Sequence, residues 1–416
     1  MSEAVEGGGD PERRSVWRLF ADRNFGPYFG GSLASNIGTW CHDIAAVVFV
    51  FQLTGLSAMV ALVSVAGFGV SIVLAPVGGQ LADRFDRRKL LLVIAAVMAV
   101  VATILAVAVL SGVEDVVLLL AVTFVLGVGR ALSTPTMQAF LPALVPPADL
   151  AQASAFQSLT FNLARGIGPA LGAGLVALGG PGLAFTANAV SFAAFAIVLA
   201  VIRPEGRPKR SGQGGFLVGV RHVLRNPGLL MLIVLSLLVG MATDPAITLG
   251  PSLAEQFGMG AAAAGFFVTA FGSGSLLMAP FVGRLRRWLG PGWTCMSGLA
   301  LVIAGFVGVG LAPVPAVALV MIVISGMGYL AASSDVSTSL LELLDDGLRG
   351  RVMALWTMGF IGGRPVAALI DGAVSDRTDP QVAVLVMAGI LAVGAVGFSV
   401  WLARSRGGLS PASIRF

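Results

Sequence analysis

Apolar stretches of membrane-spanning length recur twelve times along this chain, and only short polar segments separate them. A helix needs roughly 20 mainly apolar residues to cross the hydrocarbon core of a bilayer. With 56% hydrophobic residues and a mean hydropathy of +0.92, the composition is not that of a soluble domain. The pattern predicts an all-α membrane protein with twelve transmembrane helices, numbered here as spans 1 to 12, near 25–52, 57–82, 89–111, 116–140, 149–178, 182–202, 227–254, 261–283, 292–312, 315–341, 351–372 and 380–403.

The positive charges are distributed very unevenly between the two sides of the predicted membrane domain. Of the 26 lysines and arginines, three lie well inside predicted spans and only Arg377 follows an odd-numbered span. All the others precede span 1 or follow an even-numbered span, and such residues stay on the cytoplasmic side. The sequence therefore predicts that both termini are cytoplasmic. The net charge of +5 reflects this topology, and we expect no nucleic-acid partner because the basic residues are dispersed over short loops.

The second half of the chain repeats the first at an offset of about 200 residues. Asp43 in span 1 falls opposite Asp244 in span 7, and Ala75-Pro76 in span 2 matches Ala279-Pro280 in span 8. Transporters built from repeats bind their substrate near the midplane, between the halves. We expect a cytoplasmic N-terminal segment (1–24), a six-helix bundle (25–202), a cytoplasmic linker with an amphipathic helix (203–226), a second six-helix bundle (227–403) and a cytoplasmic tail (404–416).

A dense run of charge, Gly-Gln-Leu-Ala-Asp-Arg-Phe-Asp-Arg-Arg-Lys at 79–89, separates spans 2 and 3. It resembles motif A of the major facilitator superfamily, although Asp86 stands where most members have glycine. With an acid at that position, the motif resembles that of the macrolide-efflux and siderophore-export branch, the transmembrane secretion effector family. The resemblance implies that Asp83 caps the start of span 11 while the arginines bind the opposing half and close the inner side. The alternative is that these charges only fix topology. The predicted gate residues are Gly79, Asp83, Arg84, Arg87 and Arg88.

Span 5 contains Asn-Leu-Ala-Arg-Gly-Ile-Gly-Pro-Ala-Leu-Gly-Ala-Gly at 162–174. This resembles motif C of the antiporters in the same superfamily, with Ala173 in place of the second glycine of a pair. Small residues allow close helix approach in membranes, so we expect span 5 to pack tightly against the opposite half. Arg130 occupies the position of the span-4 arginine of motif B. The residues of the predicted antiporter motif are Gly166, Gly168, Pro169 and Gly172.

Ionisable side chains inside membrane spans are costly, which makes each one a functional candidate. Asp43 with Arg130 would form an adjustable pair for proton coupling, and a permanent salt bridge between spans 1 and 4 is the alternative. Asp244 precedes Pro245, which predicts a kinked helix suited to gating. His42 points about 100° away from Asp43 on the same helix, which favours a buried structural histidine. The candidates for proton coupling or charge relay are Asp43, Arg130, Arg165, Asp244, Asp335, Arg364 and His42.

The resemblance covers almost the whole chain and implies the major facilitator fold, with two pseudo-symmetric six-helix bundles. It implies an exporter in the bacterial inner membrane that exchanges external protons for a bulky, partly apolar small molecule, such as an antibiotic, a siderophore or another secondary metabolite. An importer or symporter of the same fold would share every topological feature. The sequence contains no catalytic constellation, phosphate loop or metal-ligand cluster, so we expect no enzyme activity, cofactor or metal.

The expected partners are the small-molecule substrate, protons and membrane lipid, and the expected oligomeric state is a monomer. Polar and aromatic side chains in the spans could offer hydrogen bonds and stacking to varied ligands, although each could equally serve packing. The candidates for lining the substrate cavity are Asn36, Trp40, Gln138, Gln157, Asn162 and Trp356.

The charge asymmetry predicts a topology that can be tested directly. Tags placed in the 203–225 loop and at both termini should report a cytoplasmic location, because the arginines there resist translocation. Cysteine labelling in intact cells measures this, with Arg377→Cys as the externally accessible control. An extracellular C-terminus would rule out twelve spans.

Overall fold

The computed structural model describes residues 19–203, 216–344 and 346–404. The predicted N-terminal segment up to residue 18, the linker residues 204–215 and the tail from residue 405 lie outside the described residues. Within those ranges, eleven helices are long and apolar enough to cross a membrane. The chain is a multi-pass, all-helical membrane protein.

The helices of the N-terminal half follow the predicted spans closely. Span 2 is built from three pieces, because a π-helical turn at Val65–Gly69 separates Ser57–Ser64 from Val70–Arg84. Such turns occur mostly as single insertions and are frequent at functional sites. The other helices of this half are Phe25–Thr54 (span 1), Arg87–Leu110 (span 3), Val116–Phe140 (span 4) and Leu150–Val201 (spans 5 and 6).

Leu150–Val201 is a helical hairpin of two crossing segments. Gly179 and Gly180 have non-helical backbone angles, and Gly180 has a φ of 73°, which favours glycine. A straight helix of 52 residues would be about 78 Å long, yet Ala153 and Leu199 near its two ends belong to one apolar cluster. Counting its two arms separately gives twelve helical segments of spanning length in the described part of the chain.

The C-terminal half begins with an amphipathic linker helix, Phe216–Arg225, followed by span 7. Span 7 is discontinuous, as the Asp244-Pro245 pair predicts: it consists of Pro227–Met241, Pro245–Thr248 and Gly250–Gln256. The remaining helices are Ala264–Leu289 (span 8), Trp293–Gly310 (span 9), Pro315–Leu343 (span 10), Asp346–Ser375 (span 11) and Pro380–Arg404 (span 12).

Acidic residues begin several spans by capping the free N–H groups of the first helical turn. Asp86 accepts from the backbone N–H of Lys89 at 2.9 Å at the start of span 3. Asp115 accepts from Val117 at 2.7 Å at the start of span 4, and Asp379 accepts from Val382 N–H at 2.9 Å in span 12. The acid that departs from motif A therefore has a local structural role as the helix cap of span 3.

The two ends of the bundle can be named from their charges. We call the end with Arg84, Arg87 and Arg88 the basic end, and the end with Asp115 and Asp376 the opposite end. At the opposite end, the apolar core of the N-terminal half continues into the C-terminal half and includes Ile247, Ala261, Ala264 and Val268. Among the described residues, the apolar clusters at the basic end each stay within one half. The halves are therefore packed together toward the opposite end.

Spans 7 and 11 are held in close contact by glycines. A Cβ added at Gly240 would overlap the carbonyl oxygen of Phe360, and one added at Gly363 would overlap that of Leu237. Each contact is between one helix and the backbone of the other, so no side-chain rotation can relieve the overlap. These glycines fix how closely the broken span 7 approaches span 11.

This close contact makes a prediction about stability. Gly240→Ala should destabilise the folded protein by about 1–3 kcal/mol, because the methyl group has no space. The midpoint of thermal unfolding in detergent measures the effect. Gly389→Ala in span 12 is the matched control, since nothing lies within 4 Å of a Cβ at that position. Equal stability of the two variants would contradict the packing described here.

Candidate functional site

The two charges predicted to pair between spans 1 and 4 do so. The Nη2 of Arg130 donates to both carboxylate oxygens of Asp43, at 3.0 and 3.1 Å. The Asp43 side chain is 12% exposed and that of Arg130 is 24% exposed, so the pair borders accessible space. A charge pair buried in a membrane protein that keeps such access can exchange a proton or meet a ligand.

Phe68, in the π-helical turn of span 2, lies between two arginines from different halves. The guanidinium carbon of Arg130 is 4.6 Å from the centre of its ring, and that of Arg364 in span 11 is 3.7 Å away. Arg364 also faces the ring of Trp40 at 5.9 Å. Cation–π contacts of this kind stabilise cations away from water. Phe68 therefore joins the Asp43–Arg130 pair to the C-terminal half.

A second contact between the halves involves Arg165 of span 5. Its Nη1 donates to the hydroxyl of Tyr329 in span 10 at 2.7 Å, and its guanidinium lies over the same ring. From Tyr329 a row of aromatic rings continues through Phe360 to Trp356, and the last two are stacked at 5.6 Å with an angle of 13°. The row gives the C-terminal half an aromatic surface next to a cation.

Asp244 lies at the break in span 7, where the chain leaves one helix and enters the next. The residue is fully buried and accepts a 3.3 Å hydrogen bond from Ser64 of span 2, across the contact between the halves. Its other oxygen, Oδ2, is buried without a hydrogen-bond partner. Half-helix ends inside a membrane are common binding positions in transporters.

Asp335 is fully engaged near the basic end and does not join the central charges. It accepts from the Nε of Arg286 at 2.8 Å, from Gly292 N–H at 2.8 Å and from Cys295 N–H at 3.3 Å. Arg286 in turn donates to both oxygens of Glu342 at 2.8 Å. The basic loop after span 8 lacks the acid of motif A, and span 10 supplies one through Asp335. These contacts hold the end of span 8 and the start of span 9 against span 10.

His42 points away from the central pair. Its Nε2 lies 3.3 Å from the hydroxyl of Thr123, its ring packs against Phe185 at 5.1 Å, and its Nδ1 is buried without a partner. The two ring contacts are to spans 4 and 6 of the same half. The geometry is that of a packed histidine in the bundle.

The small residues of span 5 face two directions. Gly166 packs against Leu276 of span 8 in the opposite half, where an added Cβ would lie 3.1 Å from that side chain. Gly168 and Gly172 instead face Trp40 and Cys41 of span 1 in their own half. The packing expected against the opposite half is therefore only part of the arrangement, because the motif also brings span 1 close to span 5. Pro169 contributes its carbonyl to the contact with Gly265 of span 8.

The motif A residues lie at the basic end. Asp83 is 3.8 Å from Arg87, which also donates to the carbonyl oxygens of Ala82 and, at 2.9 Å, Ala139. Arg88 donates to the carbonyls of Leu199 and Ala200 at the end of span 6. These contacts of Arg87 and Arg88 are to their own half. Arg84 is exposed, and Gly79 has open space around its Cα.

The predicted cavity residues make several different contacts. Trp40 is buried next to Arg364, and Trp356 belongs to the aromatic row. The side-chain amide of Asn36 donates to its own helix at Ser32, and Gln157 lines a small cavity with Tyr28. Gln138 is exposed, and the side chain of Asn162 lies outside the described residues.

The hydrogen bonds that join the halves share one location. Besides the Arg165–Tyr329 and Ser64–Asp244 contacts, the carboxylate of Asp376 accepts from the backbone N–H groups of Ser57 and Ala58 at 2.7 and 2.9 Å. Ser57 and Ser375 also place their hydroxyls 3.1 Å apart. Every one of these described bonds lies between the middle of the spans and the opposite end. The halves are closed at that end.

Sequence reasoning missed several residues that the structure brings to the site. Phe68 and Tyr329 have no charge to mark them, although the glycines at 67 and 69 signal an irregular turn. Asp371 lies one residue from the predicted end of span 11 and reads as part of a loop, yet it is fully buried. Phe68 and Tyr329 each act through a contact between distant spans.

Two packed helical halves that cross a membrane, with charges at their contact, form an architecture found among membrane transporters. Solved transporters share this fold. A bacterial homologue of the human lysosomal transporter Spinster has a TM-score of 0.77 at 14% identity, with 92% of this chain and 96% of that chain covered. The nucleoside transporter NupG has a TM-score of 0.70 at 15% identity, with coverage of 90% and 98%. A bacterial homologue of the iron transporter ferroportin has a TM-score of 0.70 at 17% identity, with coverage of 93% and 99%.

The family model of the transmembrane secretion effector matches residues 14–408, so the chain belongs to that family. It is 27% identical over 311 residues to the enterobactin exporter EntS of Escherichia coli O127:H6 (strain E2348/69 / EPEC), which covers 73% of this chain and 74% of the relative. EntS of Escherichia coli O81 (strain ED1a) is 28% identical over the same length. The chain is a transporter of the major facilitator type and not an enzyme, and it is homologous to a siderophore exporter.

The motif A residues lead to a prediction. Asp83→Asn should leave expression and membrane insertion near normal while transport falls by about tenfold or more. The reason is the loss of the contact between Asp83 and the start of span 11 that the family resemblance implies, since a hydrogen bond to a charged group is worth roughly 1.5–3 kcal/mol. A ligand from a resistance panel in an efflux-deficient host serves to measure transport. Asp86→Asn is the matched control, since asparagine also caps helices well. Full transport by Asp83→Asn would reduce the motif to a topology signal.

Proposed function

We propose that the chain is a proton-coupled exporter in the bacterial inner membrane, with both termini cytoplasmic. It would exchange external protons for a bulky, partly apolar small molecule such as an antibiotic, a siderophore or another secondary metabolite, and act as a monomer in lipid. The observation that carries the proposal is the cluster of Asp43, Arg130 and Arg364 around Phe68. An acid that can gain or lose a proton is there linked through one ring to the other half of the molecule.

The relation between this cluster and the halves supports coupling. When Asp43 binds a proton, Arg130 loses its counter-charge and its interactions with Phe68 and Arg364 must change. Arg364 belongs to span 11 and Phe68 to span 2, and these helices pack together across the contact between the halves. Protonation of Asp43 would therefore change contacts that help to set the relative position of the halves.

Export is favoured over import by the relatives and by span 5. EntS is named as an enterobactin exporter, and the sequence of span 5 resembles the antiporter motif. An importer or symporter of the same fold is the second candidate, because the structural neighbours include the nucleoside transporter NupG and a peptide transporter of the POT family. Those neighbours share the fold at 15% identity or less, which carries no information on direction.

The described state fits the inward-facing conformation of such a cycle. The halves are joined by hydrogen bonds from mid-span to the opposite end, and the Spinster and ferroportin homologues have inward-facing structures. A ligand arriving from the basic end would reach the stacked rings of Trp356 and Phe360 and the guanidinium of Arg165. Flat rings and a cation suit a large molecule with apolar and polar parts.

The coupling role of Asp43 can be separated from a static salt bridge. If Asp43 carries the proton, Asp43→Asn resembles the protonated form, so ligand binding or downhill exchange survives while proton-driven uphill export is lost. If Asp43 only bridges to Arg130, the same change leaves a charge unpaired and lowers the amount of folded protein, since breaking a buried pair costs roughly 3–5 kcal/mol.

The double change Asp43→Asn with Arg130→Gln distinguishes these two outcomes. Under the bridge alternative it restores both protein level and transport, whereas under coupling it leaves proton-driven export absent. Ligand-induced proton release from the purified protein is measured in parallel. Wild-type proton release by Asp43→Asn would refute the assignment of Asp43.

A further inference from the structure

A pair of buried acids lies between the central cluster and the opposite end. Asp244 of span 7 and Asp371 of span 11 are both fully buried, and the short helix Pro245–Thr248 that follows Asp244 packs against span 11. Among the described residues, the Oδ2 of Asp244 and both carboxylate oxygens of Asp371 have no hydrogen-bond partner. The Oδ1 of Asp244 accepts from Ser64 at 3.3 Å, and the hydroxyl of Thr248 lies near the same carboxyl. Carboxylates left in this way are costly as ions.

The surroundings supply too little positive charge for two ionised acids. Arg364 interacts with Asp244 and lies two helical turns before Asp371 on the same face of span 11. The same arginine also faces Asp43, Arg130 and Arg165, so it is shared. Neither span 2 along 57–74 nor span 12 along 380–403 contains a charged residue.

The other acids near these helices are already engaged. Asp335 and Glu342 of span 10 bind Arg286 near the basic end, and Asp376 binds the backbone of Ser57 and Ala58. The arginine beside Asp244 is therefore shared with other charges, and Asp371 lies two helical turns beyond it. Two buried carboxyls with so little compensation cannot both stay ionised, so one of them holds a proton.

The pair is buried by the same contacts that close the opposite end. Next to Asp371, an added Cβ on Gly372 would lie 2.8 Å from the Cα of Ala58, so span 11 touches the backbone of span 2 there. Asp376 caps the start of span 2 just beyond. Separating spans 2 and 11 at this point would open a route for water to Asp371.

We infer that Asp244 and Asp371 form a carboxyl pair that must bind one proton from water at the opposite end before that end can close. The inference rests on the proposed proton-coupled transport. An O–H bond forms on one carboxyl as the solvent hydronium loses its proton, and the neutralised pair can then be buried. With both acids ionised, repulsion and the loss of hydration keep the end open.

A distance measurement without any substrate tests this. Spin labels on Val113→Cys and Leu311→Cys, both exposed at the opposite end of different halves, report whether that end is open. The native thiols of Cys41 and Cys295 are buried, which favours labelling of the new positions. In lipid nanodiscs, the ratio of closed to open forms should fall as the pH rises, by up to about tenfold per pH unit, the limit for one linked proton.

Neutral variants should remove this dependence. Asp371→Asn should remain closed across the pH range, and Asp244→Asn should do the same. Asp376→Asn is the matched control, because its exposed carboxylate also joins the halves but is not part of the pair. It should weaken closure at every pH and keep the wild-type slope. A wild-type slope in Asp371→Asn, or a lost slope only in Asp376→Asn, would overturn the inference.

A second measurement covers the possibility that Asp371→Asn does not fold. Infrared difference spectra between acid and alkaline pH should contain a protonated-carboxyl band in the wild type, and the conservative Asp371→Glu should shift that band. An unshifted band in Asp371→Glu would overturn the assignment. Since neither measurement involves a transported molecule, failure of the pair is distinguishable from failure of the proposed transport, which is assessed by ligand-induced proton release.

Discussion

The need to compensate charges inside a membrane is the constraint on which the rest of this structure depends. Bilayer hydrocarbon offers no partner to an ion, so each intramembrane charge has to find one within the protein. Arg130 finds Asp43, and both Arg130 and Arg364 use the face of Phe68. Because these partners come from spans 1, 2, 4 and 11, the compensation joins the two halves. Any change in protonation at Asp43 then changes the interactions at the contact between the halves.

The fold was largely predictable from the sequence, because spans in a membrane are defined by local composition. The apolar stretches, the break before Pro245 and the hairpin at Gly179 and Gly180 all follow from residues that are adjacent in the chain. The Asp43–Arg130 pair was predictable for a different reason. Few charges lie in the spans, and the family resemblance indicates that spans 1 and 4 are neighbours. A small set of candidates leaves few possible pairings.

The rest of the site could not be predicted, because it depends on contacts that have no local signal. Asp335 reads as a coupling candidate in the sequence, yet Arg286 and the start of span 9 satisfy its carboxylate completely. Phe68 reads as an ordinary apolar residue, and only the three-dimensional packing places two guanidiniums on its faces. Asp371 is hidden by its position at the predicted end of span 11. The surroundings that determine the roles of these residues are formed by other helices.

Spans 2 and 11 run in opposite directions, and the end of each lies next to the start of the other. At the opposite end, Asp376 follows span 11 and caps the first N–H groups of span 2. The family resemblance implies the reciprocal contact at the basic end, where Asp83 near the end of span 2 would cap the start of span 11. Each contact is a carboxylate on the positive end of a helix dipole. If spans 2 and 11 can form such a cap at either end, then closing one end while the other opens replaces one carboxylate cap with a similar one. The two states could then be close in free energy, so that binding a single proton would suffice to decide between them.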